Sequence, residues 1–124
     1  MTYDEFNQFC GELTATSYVM QWGISHVWKV DGKVFAIGGW ADDKQPAFTF
    51  KTSDNNFEFL SLHEDYRPAP YFATRGMKWI QQIKTSEQTD DELKYYLLES
   101  YRIVSLGLSK KKQKELGLHL FLES

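Results

Sequence analysis

Apolar and polar residues alternate most clearly in ISHVWKV-DG-KVFAIGGW (24–40), where two stretches of period two flank Asp31-Gly32. Asp-Gly favours a two-residue type I′ turn, whose positive φ angles match the twist of the flanking strands, so the pattern predicts a hairpin. The register set by that turn puts Val30 opposite Lys33, Trp28 opposite Phe35 and His26 opposite Ile37. Ile24, His26, Trp28, Phe35 and Ile37 then share one face, which reads as the core face. Ser25, Val27, Lys29, Val34 and Ala36 form the other. PAFTFK (46–51) alternates again and predicts a third strand, with Pro46 at its first position, where a missing N–H is tolerated. The charged stretch ADDKQ between them reads as a loop.

Elsewhere the period changes to that of a helix. Thr2 and Glu5 have capping-box spacing, and Phe6, Phe9, Cys10 and Leu13 follow on one stripe, predicting a helix over about 2–13. Ser53 caps a short helix that aligns Phe57 with Leu60, and Phe59 with Leu62 and His63. RPAP ends it, and 71–73 and 77–84 read as a fourth and fifth strand around Thr74-Arg75-Gly76. Thr89 and Glu92 have the spacing of a second capping box, followed by the longest apolar stripe: Leu93, Tyr96, Leu97, Ser100, Tyr101 and Val104. Gly107 and Ser109 separate it from a short basic helix, 110–116, stopped by Gly117. The expected order is α-β-β-β-α-β-β-α-(α). This is an α+β fold with a two-layer arrangement, an antiparallel sheet carrying its helices on one face.

Length and composition narrow this further. At 124 residues, without repeats or low-complexity tracts, the chain is expected to form a single domain over 1–124, with 110–124 as a basic C-terminal helix and tail. Its apolar runs are too short to span a bilayer. The N-terminal MTYDEFNQFC has acidic residues where an export signal is basic, and a lone cysteine, Cys10, suits a reducing cytoplasm. A net charge of −3 argues against attachment to nucleic acid or membrane by bulk charge.

Against that acidic background, the segment from Tyr66 to Lys84 contains Arg67, Arg75, Lys78 and Lys84 and no acidic residue. Arg67, Arg75 and Lys78 are candidate phosphate contacts, with Tyr71 and Trp79 as candidate stacking platforms for bases. The alternative is that these rings belong to the core and the charges solvate a hairpin. Lys110, Lys111, Lys112 and Lys114 form a second basic cluster, with Lys110, Lys111 and Lys112 as further candidate phosphate contacts; such a run on a terminal helix is usually a solvated end that complements the helix dipole. No catalytic group is expected. Cys10 lies on an apolar stripe, and His26, His63 and His119 share no element at metal-ligand spacing. Gly38-Gly39 lacks the pattern of a phosphate loop and its following helix, so nucleotide binding is unsupported. With the histidines scattered, neither a metal nor a cofactor is expected.

FNQFCGEL, VWKVDGKVFAI, FTFK, PYFATRGMKWIQ and DDELKYYLLESYRIV together resemble the MmcQ/YjbR family of small bacterial proteins, over about Phe6 to Leu116. The resemblance implies a two-layer domain similar to frataxin-like and secretion-chaperone-like folds. It also implies DNA binding of a double-wing type. Many family members place a histidine before the tryptophan where this chain has Lys78, so no role of that histidine transfers. The expectation is a non-enzymatic protein that binds DNA weakly through the basic hairpin. The alternative is a protein-interaction or chaperone-like module using the open sheet face or a groove. No membrane attachment is expected, and the chain is expected to be a monomer or a weak dimer.

Overall fold

In the computed structural model, which describes residues 1–39 and 46–123, six strands form one antiparallel sheet in the order β1-β2-β3-β4-β6-β5. The strands are β1 (Thr16–Gln21), β2 (Ser25–Val30), β3 (Lys33–Gly38), β4 (Phe48–Lys51), β5 (Tyr66–Pro68) and β6 (Trp79–Gln82). The helices are α1 (Tyr3–Gly11), α2 (Asp54–Ser61), α3 (Glu87–Leu106), α4 (Lys110–Glu115) and α5 (His119–Leu122). The charged loop expected at 41–45, with Asp42-Asp43, lies outside the described residues.

The caps and the turn follow their local chemistry. Thr2 Oγ1 accepts from the Glu5 amide and Glu5 Oε1 accepts from the Thr2 amide, at 3.1 and 3.0 Å, closing the capping box of α1. Ser53 caps α2 through the Asn56 amide. Asp31 and Gly32 hold φ of 48° and 77°, as a type I′ turn requires.

The hairpin departs from its expected register after two pairs. Val30 faces Lys33 and Lys29 faces Val34, but Trp28 then faces Ala36, Val27 faces Ile37 and His26 faces Gly38. Phe35 is the extra residue of a β-bulge, which lets Trp28, Val30, Phe35 and Ala36 all join the helix-covered core. Ser100 of α3 bridges the strands beside the bulge. Its hydroxyl donates to the Phe35 carbonyl at 2.6 Å and accepts from the Lys51 amide at 2.9 Å. Ile37 moves with Val27 to the opposite face, and Ile24 is exposed rather than buried.

Three more elements differ from the sequence pattern. β1 has no counterpart in it. β5 occupies Tyr66–Pro68, whereas 71–73 is not a strand, because Tyr71 takes a φ of 72° and a 3-10 turn follows at Ala73–Arg75. The long helix begins one turn earlier than Thr89, and it is Thr89 Oγ1 that accepts from the Ser86 amide, at 2.9 Å. Glu92 instead accepts from the Tyr66 hydroxyl at 2.7 Å, tying the start of α3 to β5.

α1 lies over β1–β3 and α3 over β3 and β4 on one face, enclosing Phe6, Cys10, Phe48, Phe50, Leu97 and Tyr101. The other face is not an open sheet surface: Val27, Ile37, Thr49 and Gln81 have no solvent exposure. Cys10 is fully buried, and that burial pushes its thiol far above the ordinary range. Cys10 should therefore resist thiol reagents under native conditions and react fully once the chain is denatured. Rapid labelling of the folded protein would contradict the packing of α1.

Candidate nucleic-acid interface

The antiparallel order decides where the basic residues meet. β3 begins at the Asp31-Gly32 turn, so β4 ends, and β6 begins, at that same end of the sheet. Lys33, Lys51 and Lys78 therefore sit at the ends of three adjacent strands on this side. The β5–β6 connection, including Arg75, closes the same end, because Pro68 faces Ile80 and the Ala69 amide donates to the Trp79 carbonyl. α4 reaches it from the other direction: Lys112 Nζ lies 3.8 Å from an Asp31 carboxylate oxygen in the turn. α3 points its C-terminus here, with Lys33 Nζ beside Gly107, where a cation complements the helix dipole.

Arg75 and Lys78 of the first basic run thus share one end of the molecule with the lysines of α4, whereas Lys84, past the far end of β6, does not. Arg75, Lys78, Lys110 and Lys111 are exposed and Lys112 half-buried, and they outnumber the nearby acids Asp31, Asp54 and Glu115. The opposite end gathers Asp4 and Glu5 of α1 with Glu87, Asp90 and Asp91 of α3, and Asp90 accepts from the Met1 ammonium at 2.7 Å.

Each candidate has a definite environment. Lys78 Nζ lies 4.8 Å from the centre of the Phe57 ring, while its carbonyl accepts from the Thr52 amide and hydroxyl. Arg75 donates to the Tyr71 hydroxyl at 2.6 Å, with its guanidinium 5.3 Å from that ring's centre. Arg67, on the outer edge strand, directs Nε and Nη2 onto Gln81 Oε1 at 2.9 and 2.7 Å. Gln81 is neutral, so the Arg67 charge is oriented without being cancelled.

Trp79 cannot serve as a stacking platform. It is 5% exposed and its ring packs against Phe72 at 4.8 Å. Its position on β6, alternating with Ile80 of the core, turns it onto the second face beneath the 69–76 segment. Tyr71 is 55% exposed. Lys33 and Lys51 were missed because each is an isolated lysine at a strand boundary. Only the strand order, combined with the Asp31-Gly32 turn, could have brought them together from the sequence.

Among the described residues, no three His, Cys, Asp or Glu side chains converge as a metal site would require. No helix among them is long and apolar enough to cross a membrane.

These features define a small α+β domain on a six-stranded antiparallel sheet with a basic end. The chain belongs to the YjbR family, whose model matches residues 11–103. It is also similar in fold to the crystal structure of the Deinococcus radiodurans protein DR2400, which contains a DUF419 domain. The TM-score is 0.75 at 23% identity, over 94% of this chain and 88% of that one. No curated protein matches.

Proposed function

We propose that this protein binds nucleic acid non-enzymatically and with modest affinity, through the basic end formed by Arg75, Lys78 and Lys110, Lys111 and Lys112. The observation that supports this most is the ion pair of Lys112 with Asp31 of the turn, which puts α4 at the end of the sheet where Arg75 and Lys78 lie. Phosphates suit such a surface, since lysines on strand ends and a short helix offer point charges without a base-reading geometry. Lys33, Lys51 and Arg67 extend the field, and Tyr71 is the exposed ring at its rim.

Titrating labelled duplex and single-stranded DNA at several salt concentrations tests the proposal. Binding should be detectable at or below about 100 µM in low salt and should weaken with a logarithmic slope of about −0.9 per phosphate contacted on duplex. It should depend little on sequence. Absence of binding at that concentration, or affinity insensitive to salt, would contradict the proposal.

A second reading, interaction with another protein, is favoured by a different feature. Tyr18, Met20 and Ile24 are exposed at one edge of the sheet, away from the lysines. That surface replaces the open sheet face expected from the sequence.

A further inference from the structure

We propose that two copies of this chain associate through the outer edge of β1, in antiparallel register about a two-fold axis, so that their sheets join into one. β1 ends the strand order, and among the described residues nothing pairs with its outer side. An edge strand presents unpaired N–H and C=O groups to any strand that approaches, and soluble proteins blunt such edges with charge, proline, brevity or a bulge.

The two edges of this sheet differ in that respect. β5 is three residues long and contains Arg67 and Pro68. β1 is six residues long, TSYVMQ, with neither charge nor proline, and the sheet's bulge lies further in, at Phe35 in the pairing of β2 with β3. The uncharged stretch continues from Leu13 through Trp28 in a chain in which 25% of residues are charged.

That neutrality points to a second copy as the occupant. In a two-fold contact the strip packs against itself, so any charge on it would be brought into the same seam twice, near its own copy. A charge-free strip avoids the penalty; β1 itself offers a charged partner no charge to meet, the nearest being Lys29, opposite Ser17 on β2. The seam also has apolar material to bury. Tyr18 and Met20 are 42% and 52% exposed, and they sit on the helix-covered side because they pair with Trp28 and His26. A two-fold axis normal to the sheet keeps the helix-covered sides together, so facing residues must share a side. Of the registers that satisfy this, two overlap the six-residue strands most fully. Tyr18 meets its own copy with Thr16 opposite Met20, or Val19 meets its own copy with Tyr18 opposite Met20. Either one buries Tyr18 and Met20 in cross-strand pairs. Tyr18 is already positioned for this, with its hydroxyl 2.8 Å from His26 Nδ1 and its ring 5.2 Å from that of Trp28. One strand edge with these side chains falls below the roughly 1,200 Å² of a stable interface, so the association is reversible and concentration-dependent.

Sedimentation velocity from about 1 µM to about 1 mM should show a reversible monomer–dimer equilibrium. The double variant Ser17→Lys/Met20→Lys alters two exposed β1 positions and should weaken association at least about 10-fold, by placing charge in an otherwise apolar seam and like charges near one another across it. Leu62→Lys, at a 91% exposed position on the C-terminal side of α2, should leave it unchanged. In the wild type, concentration-dependent amide shifts in NMR spectra should centre on residues 16–21, a readout independent of whether the variants fold. The proposal is overturned by a wild type that stays monomeric, by undiminished association of the folded lysine variant, by loss of association in Leu62→Lys, or by amide shifts confined to another surface.

Discussion

Replacing Trp28 with alanine is expected to lower the unfolding free energy by about 3–5 kcal/mol. Trp28 is 8% exposed beneath α1, and its Nε1–H donates to Asn7 Oδ1 at 2.9 Å. Truncation opens a cavity between helix and sheet and leaves the half-buried Asn7 amide without that donor, so the transfer and hydrogen-bond losses add. Trp28→Phe should fall between wild type and alanine, keeping much of the volume while losing the donor. Urea unfolding with an unchanged m-value measures both. A loss below about 1 kcal/mol for the alanine variant would mean that α1 does not rest on this ring.

Gly38→Ala is expected to cost about 1–3 kcal/mol although it adds only a methyl group. A Cβ at this position would stand 2.8 Å from Phe6 Cε2 and 3.2 Å from Tyr3 Cδ1, closer than carbon atoms pack. Phe6 has no room to retreat, since it is fully buried with its ring centre 5.0 Å from that of Phe48. α1 must therefore lift from β3. The same thermal or urea measurement checks this, and a neutral or stabilised Gly38→Ala would show that α1 packs more loosely on β3 than these distances require.

The legible parts of the fold were those determined within a few residues. Thr2 with Glu5, Ser53, and the Asp31-Gly32 turn each satisfy their own local geometry, and the stripe from Leu93 to Val104 repeats often enough to define its buried face. The bulge at Phe35 left no local mark, because it is stabilised by Ser100, 65 residues away in sequence. β1 escaped notice because an edge strand, half exposed on both sides, needs no sharp alternation. At Tyr71–Ala73 the apolar residues suggested a strand, but they are apolar because Phe72 folds onto Trp79. Of the candidate site, the lysines and arginines were visible as two separate runs, and Trp79 follows the alternative reading, a buried ring rather than a stacking platform. Their meeting at one end of the sheet depends on strand order, which no local pattern encodes.

The central question is whether those two runs act as one surface. The direct measurement is the salt dependence of DNA binding for wild type, Arg75→Glu/Lys78→Glu, Lys110→Glu/Lys111→Glu, and the variant combining all four changes. Each pair should weaken binding to all sequences alike and make the salt slope shallower by about 0.9 for every phosphate that is no longer neutralised. The combined variant should bind most weakly and show the shallowest slope. If charge reversal in either run leaves both affinity and slope at the wild-type value, the basic end is not the nucleic-acid surface.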